Sequence, residues 1–224
     1  MILCVTGTGT DVGKTVATAA LAANYRAQGY RVEVVKPAQT GTTQGDSDAR
    51  EITRLTGITR VHTFAGYPEP LAPVPAARRA GMAFLDRGEV VERIRQLDAA
   101  SPERCVIVEG AGGVLVELGP GWTIADVALD LGAPIVVVTS TGLGSLNHAG
   151  LTVEALAHRG VVCAGLIGGS IPADPGLATR STLEGLRDLG GGQWLGSIPE
   201  GAGRLSREGF AAGAGEWLRL PGAQ

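Results

Sequence analysis

The sequence predicts an α/β protein of 224 residues, in which a mostly parallel sheet carries helices on both faces. A glycine-rich segment that ends in Gly-Lys-Thr at 13–15 follows the first apolar run and indicates a fold of the P-loop NTPase type. Short apolar runs at 2–5, 105–108 and 134–139 alternate with stretches of helical periodicity, as in a parallel α/β sheet. Hydrophobic residues make up 44% but aromatic residues only 4%, which suits parallel strands covered by Ala-rich helices. The length fits one domain spanning 1–224.

The first apolar run leads into a glycine-rich segment, Gly-Thr-Gly-Thr-Asp-Val-Gly-Lys-Thr at 7–15, and an Ala-rich helical stretch follows. This is the context that a phosphate-binding P-loop requires, because backbone N–H groups and the helix dipole converge on an anion. We expect Lys14 to reach the β- and γ-phosphates and the Thr15 hydroxyl to hold Mg²⁺. Five residues separate Gly7 from Gly13, one more than in the standard motif. The alternative is an ordinary glycine-rich turn.

Lys14 and Lys36 are the only lysines among 19 basic residues, and all the others are arginines. Lysine is a compact point charge on a slim stem, whereas arginine is a bulky fork. A site that crowds phosphates between backbone amides has room for the lysine. Lys36 also ends the second predicted strand, 31–36, so we predict a functional role for it. The alternative is a lysine at a strand end by chance.

The next segments carry turn and helix signals. Asp-Ser-Asp at 46–48 opens a helix predicted to extend to residue 56, and its aspartates could serve as N-caps. The proline-dense segment 67–75 predicts a fixed loop. Thr123 and Asp126 predict a capping box at the start of a helix. The remaining predicted elements are helices at 89–100, 124–131, 149–158 and 208–220, with strands at 161–167 and 193–198.

Glu109 ends the buried strand predicted at 105–108 and precedes the glycine-rich segment 110–113. In P-loop proteins an acid at a strand end commonly supports Mg²⁺. Ligands of parallel α/β sheets bind outside the carboxyl ends of the strands, so residues at those ends should share one site. Those residues are Thr6, Lys36, Glu109, Thr139 and Gly168.

Charge and composition argue against several classes of protein. The net charge of −3 gives no electrostatic basis for binding nucleic acid or an anionic membrane surface. No apolar run is long enough to span a bilayer. Cys4, Cys105 and Cys163 lie in apolar strand-like runs without metal-ligand spacing, which suits a reducing compartment. We therefore expect a cytoplasmic protein.

Five segments together resemble dethiobiotin synthetases, and the likeness is closest to the actinobacterial branch. They are the P-loop segment 7–15, Lys-Pro-Ala-Gln-Thr-Gly at 36–41, Gly-Asp-Ser-Asp at 45–48, Val-Glu-Gly-Ala-Gly-Gly at 108–113 and Gly-Leu-Gly-Ser-Leu-Asn-His at 142–148. They occur in order and cover the chain to about residue 199. The five-residue spacing within the P-loop is the spacing of that family.

The resemblance implies a homodimeric, ATP- and Mg²⁺-dependent cyclo-ligase of biotin synthesis. Its substrates would be 7,8-diaminononanoate and CO₂ or bicarbonate, joined through a carbamate and a carbamic-phosphoric anhydride. Lys14 and Lys36 would be catalytic, with Lys36 between the carbamate and the γ-phosphate. Thr15, Asp48 and Glu109 would ligate the metal.

The resemblance also implies two sets of binding residues. The nucleotide would contact Asp11, Val12, Gly13, Lys14, Thr15, Val16, Asp48, Glu109, Gly110, Ala111, Gly112, Gly169, Ser170, Pro199, Glu200 and Gly201. The substrate would contact Thr10, Thr40, Gly113, Gly144, Ser145 and Asn147. The last three belong to a loop that would reach the partner subunit's site. The alternative is a loop within one chain, with Asn147 as the N-cap of the following helix.

Two positions depart from the pattern of the family. Many relatives carry Glu where this chain has Asp11, and relatives usually read adenine with an Asn where this chain has Gly169. The second departure predicts that ATP or another nucleoside triphosphate is accepted, with the base held by backbone contacts around residues 168–170 and 199–201.

Three other functions stay open from the sequence. A partitioning or site-selection ATPase would place a signature lysine at the position of Gly9. A cobyrinate-type amidating ligase would normally carry an additional glutaminase domain. The third is a nucleotide-binding module without catalysis.

Overall fold

The computed structural model describes residues 1–45, 47–189 and 193–222, so Asp46, one of the two candidate N-caps, lies outside the described residues. The strands are β1 (Ile2–Gly7), β2 (Arg31–Gln39), β3 (Val61–Gly66), β4 (Arg104–Gly113), β5 (Glu117–Gly119), β6 (Trp122–Thr123), β7 (Ile135–Thr139), β8 (Cys163–Ile171) and β9 (Trp194–Pro199). The α-helices are α1 (Lys14–Ala27), α2 (Asp48–Thr56), α3 (Pro73–Ala80), α4 (Arg87–Ala99), α5 (Ile124–Leu131), α6 (Ser145–His158), α7 (Leu177–Asp188) and α8 (Arg207–Trp217). None of the helices in these ranges has both the length and the apolar character needed to cross a membrane.

Seven strands form one sheet in the order β3-β2-β4-β1-β7-β8-β9, and each neighbouring pair is parallel. β5 and β6 form a small separate antiparallel pair. The order places β1 in the middle, with β4 and β2 on one side and β7, β8 and β9 on the other. The carboxyl ends of all seven strands therefore lie along one edge, as the sequence predicted.

Helices cover both faces of this sheet because successive strand residues point to opposite sides. Leu3 and Val5 of β1 pack into a core with α1, α2 and α8. Cys4, between them, packs into a second core with α3, α4, α5 and α6. The predicted fold class, a parallel sheet with helices on both faces, is confirmed.

The cysteines behave as the sequence predicted for small buried hydrophobes. Cys4 and Cys105 are buried, and burial raises the pKa of each thiol to about 12. Cys163 is partly buried, and its pKa is raised for the same reason. The described cysteines are therefore protonated and unreactive at neutral pH.

The structure contains elements that the sequence pattern did not predict. The segment 67–75, expected to be a loop throughout, contains the start of α3, because Pro73 occupies the first turn, where its missing N–H is not needed. β3 and α7 were also not predicted. The C-terminal helix covers Arg207–Trp217 rather than 208–220, since Leu218 has left the helix and bridges to Gly196 of β9.

Candidate active site

The P-loop joins β1 to α1 through backbone conformations that favour glycine. Gly13 has φ +92° and precedes the helix, whose first turn carries no acidic residue and no side-chain cap. The first N–H groups of α1 are therefore free to bind an anion. A β-carbon at Gly7 would lie 2.8 Å from Val12 Cγ2 and 3.0 Å from Lys14 Nζ, so the close approach requires glycine there. Asp11, at φ +57°, is the one non-glycine residue with positive φ in the part of the chain that the structure describes.

Lys14 bends back over the loop, and its Nζ donates a 2.7 Å hydrogen bond to the Gly9 carbonyl. Burial, followed by repulsion from the Lys36 ammonium, lowers the pKa of Lys14. The two lysines of the chain therefore lie close enough to affect each other's charge. An anion bound between them would relieve that repulsion.

Lys36 occupies the centre of a buried polar cluster in the carboxyl-terminal halves of β2 and β4. The two strands continue to Gln39 and Gly113, so Lys36 and Glu109 do not end their strands as the sequence predicted. Its Nζ donates to Glu109 Oε1 and Asp48 Oδ2, each at 2.7 Å, and to the Gly110 carbonyl at 2.9 Å. The three contacts use all three protons of the ammonium group. Thr15 Oγ1 lies 3.0 Å from Asp48 Oδ1 and 3.1 Å from Glu109 Oε1. The cluster therefore joins β2, β4, α2 and the P-loop.

The charges of this cluster stabilise one another. Burial acts against the charge of Lys36, but the carboxylates of Glu109 and Asp48 outweigh it and raise the pKa of Lys36. Burial alone would raise the pKa of Asp48, yet the Lys36 ammonium and the Thr15 hydroxyl hold it below its ordinary value. Lys36 therefore stays protonated and Asp48 ionised at neutral pH.

Asp48 is not the N-cap of α2. Ser47 is the cap, and its side chain accepts a 3.2 Å hydrogen bond from the Arg50 N–H. Asp48 is the first residue of the helix, and its carboxylate turns toward Lys36 and Thr15. The alternative role of Asp48 as a cap is therefore wrong.

The oxygen atoms around Thr15 fit Mg²⁺. Thr15, Asp48 and Glu109 provide one hydroxyl and two carboxylates, the hard donors that Mg²⁺ prefers. Glu109 is 0% exposed, and its Oε2 is a buried atom without a hydrogen-bond partner. Across the described ranges, no three His, Cys, Asp or Glu side chains are grouped to hold a metal. This donor set therefore suits an ion that completes its shell with water and phosphate oxygens.

A cavity of about 1100 Å³ opens beside this cluster. Twelve of the predicted site residues line it: Thr10, Asp11, Gly13, Lys14, Thr15, Val16, Lys36, Thr40, Asp48, Glu109, Ala111 and Gly112. Its lining also includes residues that the sequence did not indicate: Arg50, Glu51 and Arg54 of α2, residues 70–73, and Val116. Of the predicted residues outside this lining, Gly110 accepts the hydrogen bond from Lys36, and Gly113 pairs with Gly7.

Comparison with known proteins identifies the family. A family model described as an AAA domain matches residues 2–203. The ATP-dependent dethiobiotin synthetase BioD of Corynebacterium kroppenstedtii is 56% identical over 209 residues, which cover 93% of this chain and 90% of that protein. The synthetase of Rhodococcus jostii is 53% identical, with 97% and 94% covered. The chain belongs to the dethiobiotin synthetase family. The resemblance inferred from the sequence is thus confirmed.

Solved structures with the same fold include site-determining ATPases. The MinC:MinD cell division complex of Aquifex aeolicus matches with a TM-score of 0.62 at 12% identity, covering 96% of this chain and 88% of that one. MinD of Pyrococcus horikoshii, complexed with Mg-ADP, matches with a TM-score of 0.55 at 18% identity, covering 89% and 81%. At these identities the likeness shows the shared P-loop fold alone.

Gly169 is the position where this chain departs from the asparagine expected of the family. A β-carbon at Gly169 would lie 1.7 Å from the Val12 carbonyl oxygen, and one at Gly13 would lie 2.5 Å from the Gly169 carbonyl. The backbones of the P-loop and of β8 touch here, so an asparagine would require the two segments to separate. Ser170, the next residue, is held by a 2.7 Å hydrogen bond from Thr141 Oγ1 to its carbonyl.

The other residues predicted to hold the base lie next to this contact. Pro199 pairs with Ile171 of β8, and the Glu200 N–H donates 2.8 Å to the Ile171 carbonyl. Pro199, Glu200 and Gly201, like Gly169 and Ser170, are outside the lining of the large cavity. They lie on the side of the P-loop away from Lys36. Lys36 is on β2, whereas β8 and β9 lie on the opposite side of β1 in the strand order.

The segment 142–147 differs from its prediction. α6 begins at Ser145, with Gly144 at φ +90° as its N-cap, rather than at residue 149. Asn147 is therefore inside the first turn, and the alternative in which Asn147 caps the helix is wrong. The left-handed conformation of Gly144 starts the helix early, and Ser145 Oγ is fixed 2.8 Å from Ser140 Oγ. Gly144, Ser145 and Asn147 do not line the cavity of their own chain.

Proposed function

We propose that this protein is a ligase that converts 7,8-diaminononanoate and CO₂ into dethiobiotin with a nucleoside triphosphate. The observation that carries the proposal is the buried Lys36 cluster. It joins a P-loop to a pair of carboxylates beside a cavity large enough for a second substrate. The sequence identity to dethiobiotin synthetases supports the same reaction. The buried free thiols suit a reducing compartment, and we place the reaction in the cytoplasm.

In the proposed reaction, one substrate amine adds to CO₂, losing a proton, and gives a carbamate. A carbamate oxygen attacks the γ-phosphorus, the bond to the bridging oxygen breaks, and nucleoside diphosphate leaves. The second amine then attacks the carbonyl carbon of the anhydride, which closes the ring and releases phosphate and a proton. Phosphoryl transfer of this type depends on positioning and on stabilisation of charge.

The side chains of the site suit these steps. Lys14 and the free N–H groups of α1 would hold the β- and γ-phosphates. Because its pKa is raised, Lys36 would act as a fixed positive charge between the carbamate and the γ-phosphate, not as a base. Thr15, Asp48 and Glu109 would hold Mg²⁺, which neutralises phosphate charge when bound.

The second substrate would lie along the rest of the cavity. Thr10 and Thr40 offer hydroxyl groups near the P-loop, and Gly113 adjoins it. Pro70, Leu71 and Val116 supply apolar surface to the same cavity. This combination suits a molecule with two amines on a hydrocarbon chain.

Phosphate release tests this function directly. We expect release that requires nucleotide, diaminononanoate and bicarbonate together, and little release when either co-substrate is omitted. A regulatory ATPase would hydrolyse nucleotide without them, and a binding module would release no phosphate. Lys14→Ala, which removes the phosphate-binding ammonium, serves as the inactive control.

The structure at Gly169 supports relaxed selection of the base. Without an asparagine side chain there, this position offers no hydrogen-bonding pair to the adenine edge, the kind of contact that gives strong discrimination. We expect CTP, GTP and UTP to support the reaction within about tenfold of ATP in kcat/KM. A side-by-side kinetic comparison checks this, and strict dependence on ATP would show that adenine is recognised elsewhere.

We also propose a homodimer in which residues 142–147 complete the site of the partner subunit. Leu143, in the middle of this segment, is 92% exposed in the single chain and could be covered by a partner subunit. Gly144 opens α6, whose positive dipole end would favour a substrate carboxylate, while the Ser145 N–H donates to the Gly142 carbonyl within the loop. The cavity of one chain contains several carboxylates, which would repel the carboxylate of the substrate. Hydrogen-bond donors from a second chain would therefore suit the carboxylate end of the substrate.

Mixing two inactive variants tests the shared site. One subunit carries Lys36→Ala, and the other carries Gly144→Pro with Ser145→Pro, which removes two N–H groups of the loop and forbids the left-handed conformation of residue 144. A mixed dimer combines both lesions in one site and leaves the other intact, so we expect about half of the mixed-dimer sites to be active. If subunits exchange but no activity returns, the loop belongs to the site of its own chain.

A further inference from the structure

Arg54 of α2 binds a segment that lies about 150 residues away in the sequence. Its Nη1 donates 3.1 Å to the Leu205 carbonyl, and its Nη2 donates to the Gly203 carbonyl. On its other side the guanidinium makes a two-bond contact with the Glu51 carboxylate, at 2.8 and 2.5 Å. The planar fork of arginine fits this arrangement, since four acceptors lie around one rigid group.

The bound segment follows the predicted base-binding residues 199–201 directly. It begins with a short 3₁₀ turn, Ala202–Arg204, in which Ala202 is buried. A β-carbon at Gly203 would lie 3.4 Å from Val16 Cγ2 and 3.8 Å from Glu51 Oε1. The segment therefore packs on Val16, the residue next to Thr15 of the P-loop.

α2 thereby connects two parts of the site. Its first residue, Asp48, bonds Lys36 and Thr15 on the metal side. Arg54 lies six residues later, about 9 Å along the helix axis. It holds the segment 202–205, which follows the predicted base-binding residues 199–201. Glu51 and Arg54 also line the large cavity. A single helix thus sets the distance between the metal ligands and the segment 202–205.

We propose that Arg54 is a positioning residue of the nucleotide site, which acts by holding the segment 202–205 in place for the base and ribose. Glu51 orients its guanidinium. The Arg54 and Glu51 side chains are 46% and 37% exposed, so their ion pair alone contributes little stability. The effect comes instead from the two carbonyl contacts, which restrict the conformations of the segment. Without them, only a fraction of the molecules presents a formed base site, and the apparent affinity falls by that fraction.

The proposal predicts that Arg54→Met weakens nucleotide binding but not phosphate binding. Calorimetry with Mg-ATP should show a Kd about five- to tenfold higher than that of the unchanged protein, whereas the Kd for Mg-tripolyphosphate stays the same. In turnover, the KM for nucleotide should rise by the same factor with kcat unchanged. Arg54→Lys keeps the charge but not the fork, and should behave like Arg54→Met.

Two further variants complete the experiment. Arg31→Met removes an exposed arginine at the amino end of β2, opposite the site, and should leave both affinities unchanged. Glu51→Gln leaves the guanidinium less well oriented, so we expect it to raise the Kd for Mg-ATP by a smaller factor than Arg54→Met does. This variant tests the proposal if Arg54→Met does not fold. Equal weakening of ATP and tripolyphosphate, full ATP affinity in Arg54→Met, or full affinity in Arg54→Lys would each overturn the proposal. The proposal rests on the proposed function only in that the protein binds a nucleotide. Because the titrations contain no diaminononanoate, their result would stand even if the protein did not catalyse the ligase reaction.

Discussion

Lys36→Arg is expected to lower kcat by about 10²–10³-fold while the protein still folds and binds nucleotide, with a melting temperature lowered by the larger buried side chain. Lys36 is 5% exposed, and its Nζ has acceptors at 2.7, 2.7 and 2.9 Å, so the space around it fits a point charge. A guanidinium is wider and cannot bring a single nitrogen to the same position between the carboxylates and the reacting phosphate. Steady-state kinetics, calorimetry with nucleotide and thermal unfolding measure the three quantities.

Lys14→Arg is the matched control, because Lys14 is the only other lysine of the chain. Lys14 belongs to the P-loop itself, and its replacement should weaken nucleotide binding together with turnover. The two variants therefore separate a residue that acts on the reaction from one that also holds the nucleotide. Turnover near normal in Lys36→Arg would show that Lys36 does not act at the reacting phosphate.

Glu109→Gln and Asp48→Asn are each expected to raise the Mg²⁺ concentration needed for half-maximal activity by about tenfold or more. Both changes replace a charged oxygen ligand with a neutral amide of the same size. The effect should be greater for Glu109, which is fully buried and has an Oε2 without a hydrogen-bond partner. Mg²⁺ titrations of activity, together with Mn²⁺ binding measured by electron paramagnetic resonance, give the two readouts.

Asp46→Asn is the matched control for the metal experiment. Asp46 precedes the helix cap Ser47, and the sequence offered both Asp46 and Asp48 as N-caps. We expect its substitution to leave the Mg²⁺ requirement unchanged. If Asp46→Asn shifts the titration and Asp48→Asn does not, the metal ligand is Asp46, and Asp48 serves only to bond Lys36.

Much of the fold could be predicted because local patterns determine it. The apolar runs of β1, β4 and β7 allow little except buried parallel strands. The capping box at Thr123 and Asp126 was predicted from two residues and is present at the start of α5. Lys36 could be singled out because the composition of the chain leaves lysine at only two positions.

The remaining features depend on contacts between distant residues. Arg54 resembles any helix-surface arginine until the fold brings residues 203 and 205 against it. β3 lies at the edge of the sheet and has a mixed composition, so it lacks the apolar run of the central strands. Asn147 has a side chain suited to an N-cap, but the left-handed Gly144 starts the helix three residues earlier. In that case the backbone conformation of Gly144, and not the capping preference of the Asn147 side chain, determines where the helix begins.

The most direct test of the central claim follows the carbon atom of the added bicarbonate. The protein is incubated with Mg²⁺, ATP, diaminononanoate and ¹³C-bicarbonate, and the products are analysed by mass spectrometry and ¹³C NMR. We expect dethiobiotin that carries the label at its ureido carbonyl, with one phosphate released for each molecule formed. Phosphate release without labelled dethiobiotin, or no release under these conditions, would contradict the proposed ligase function.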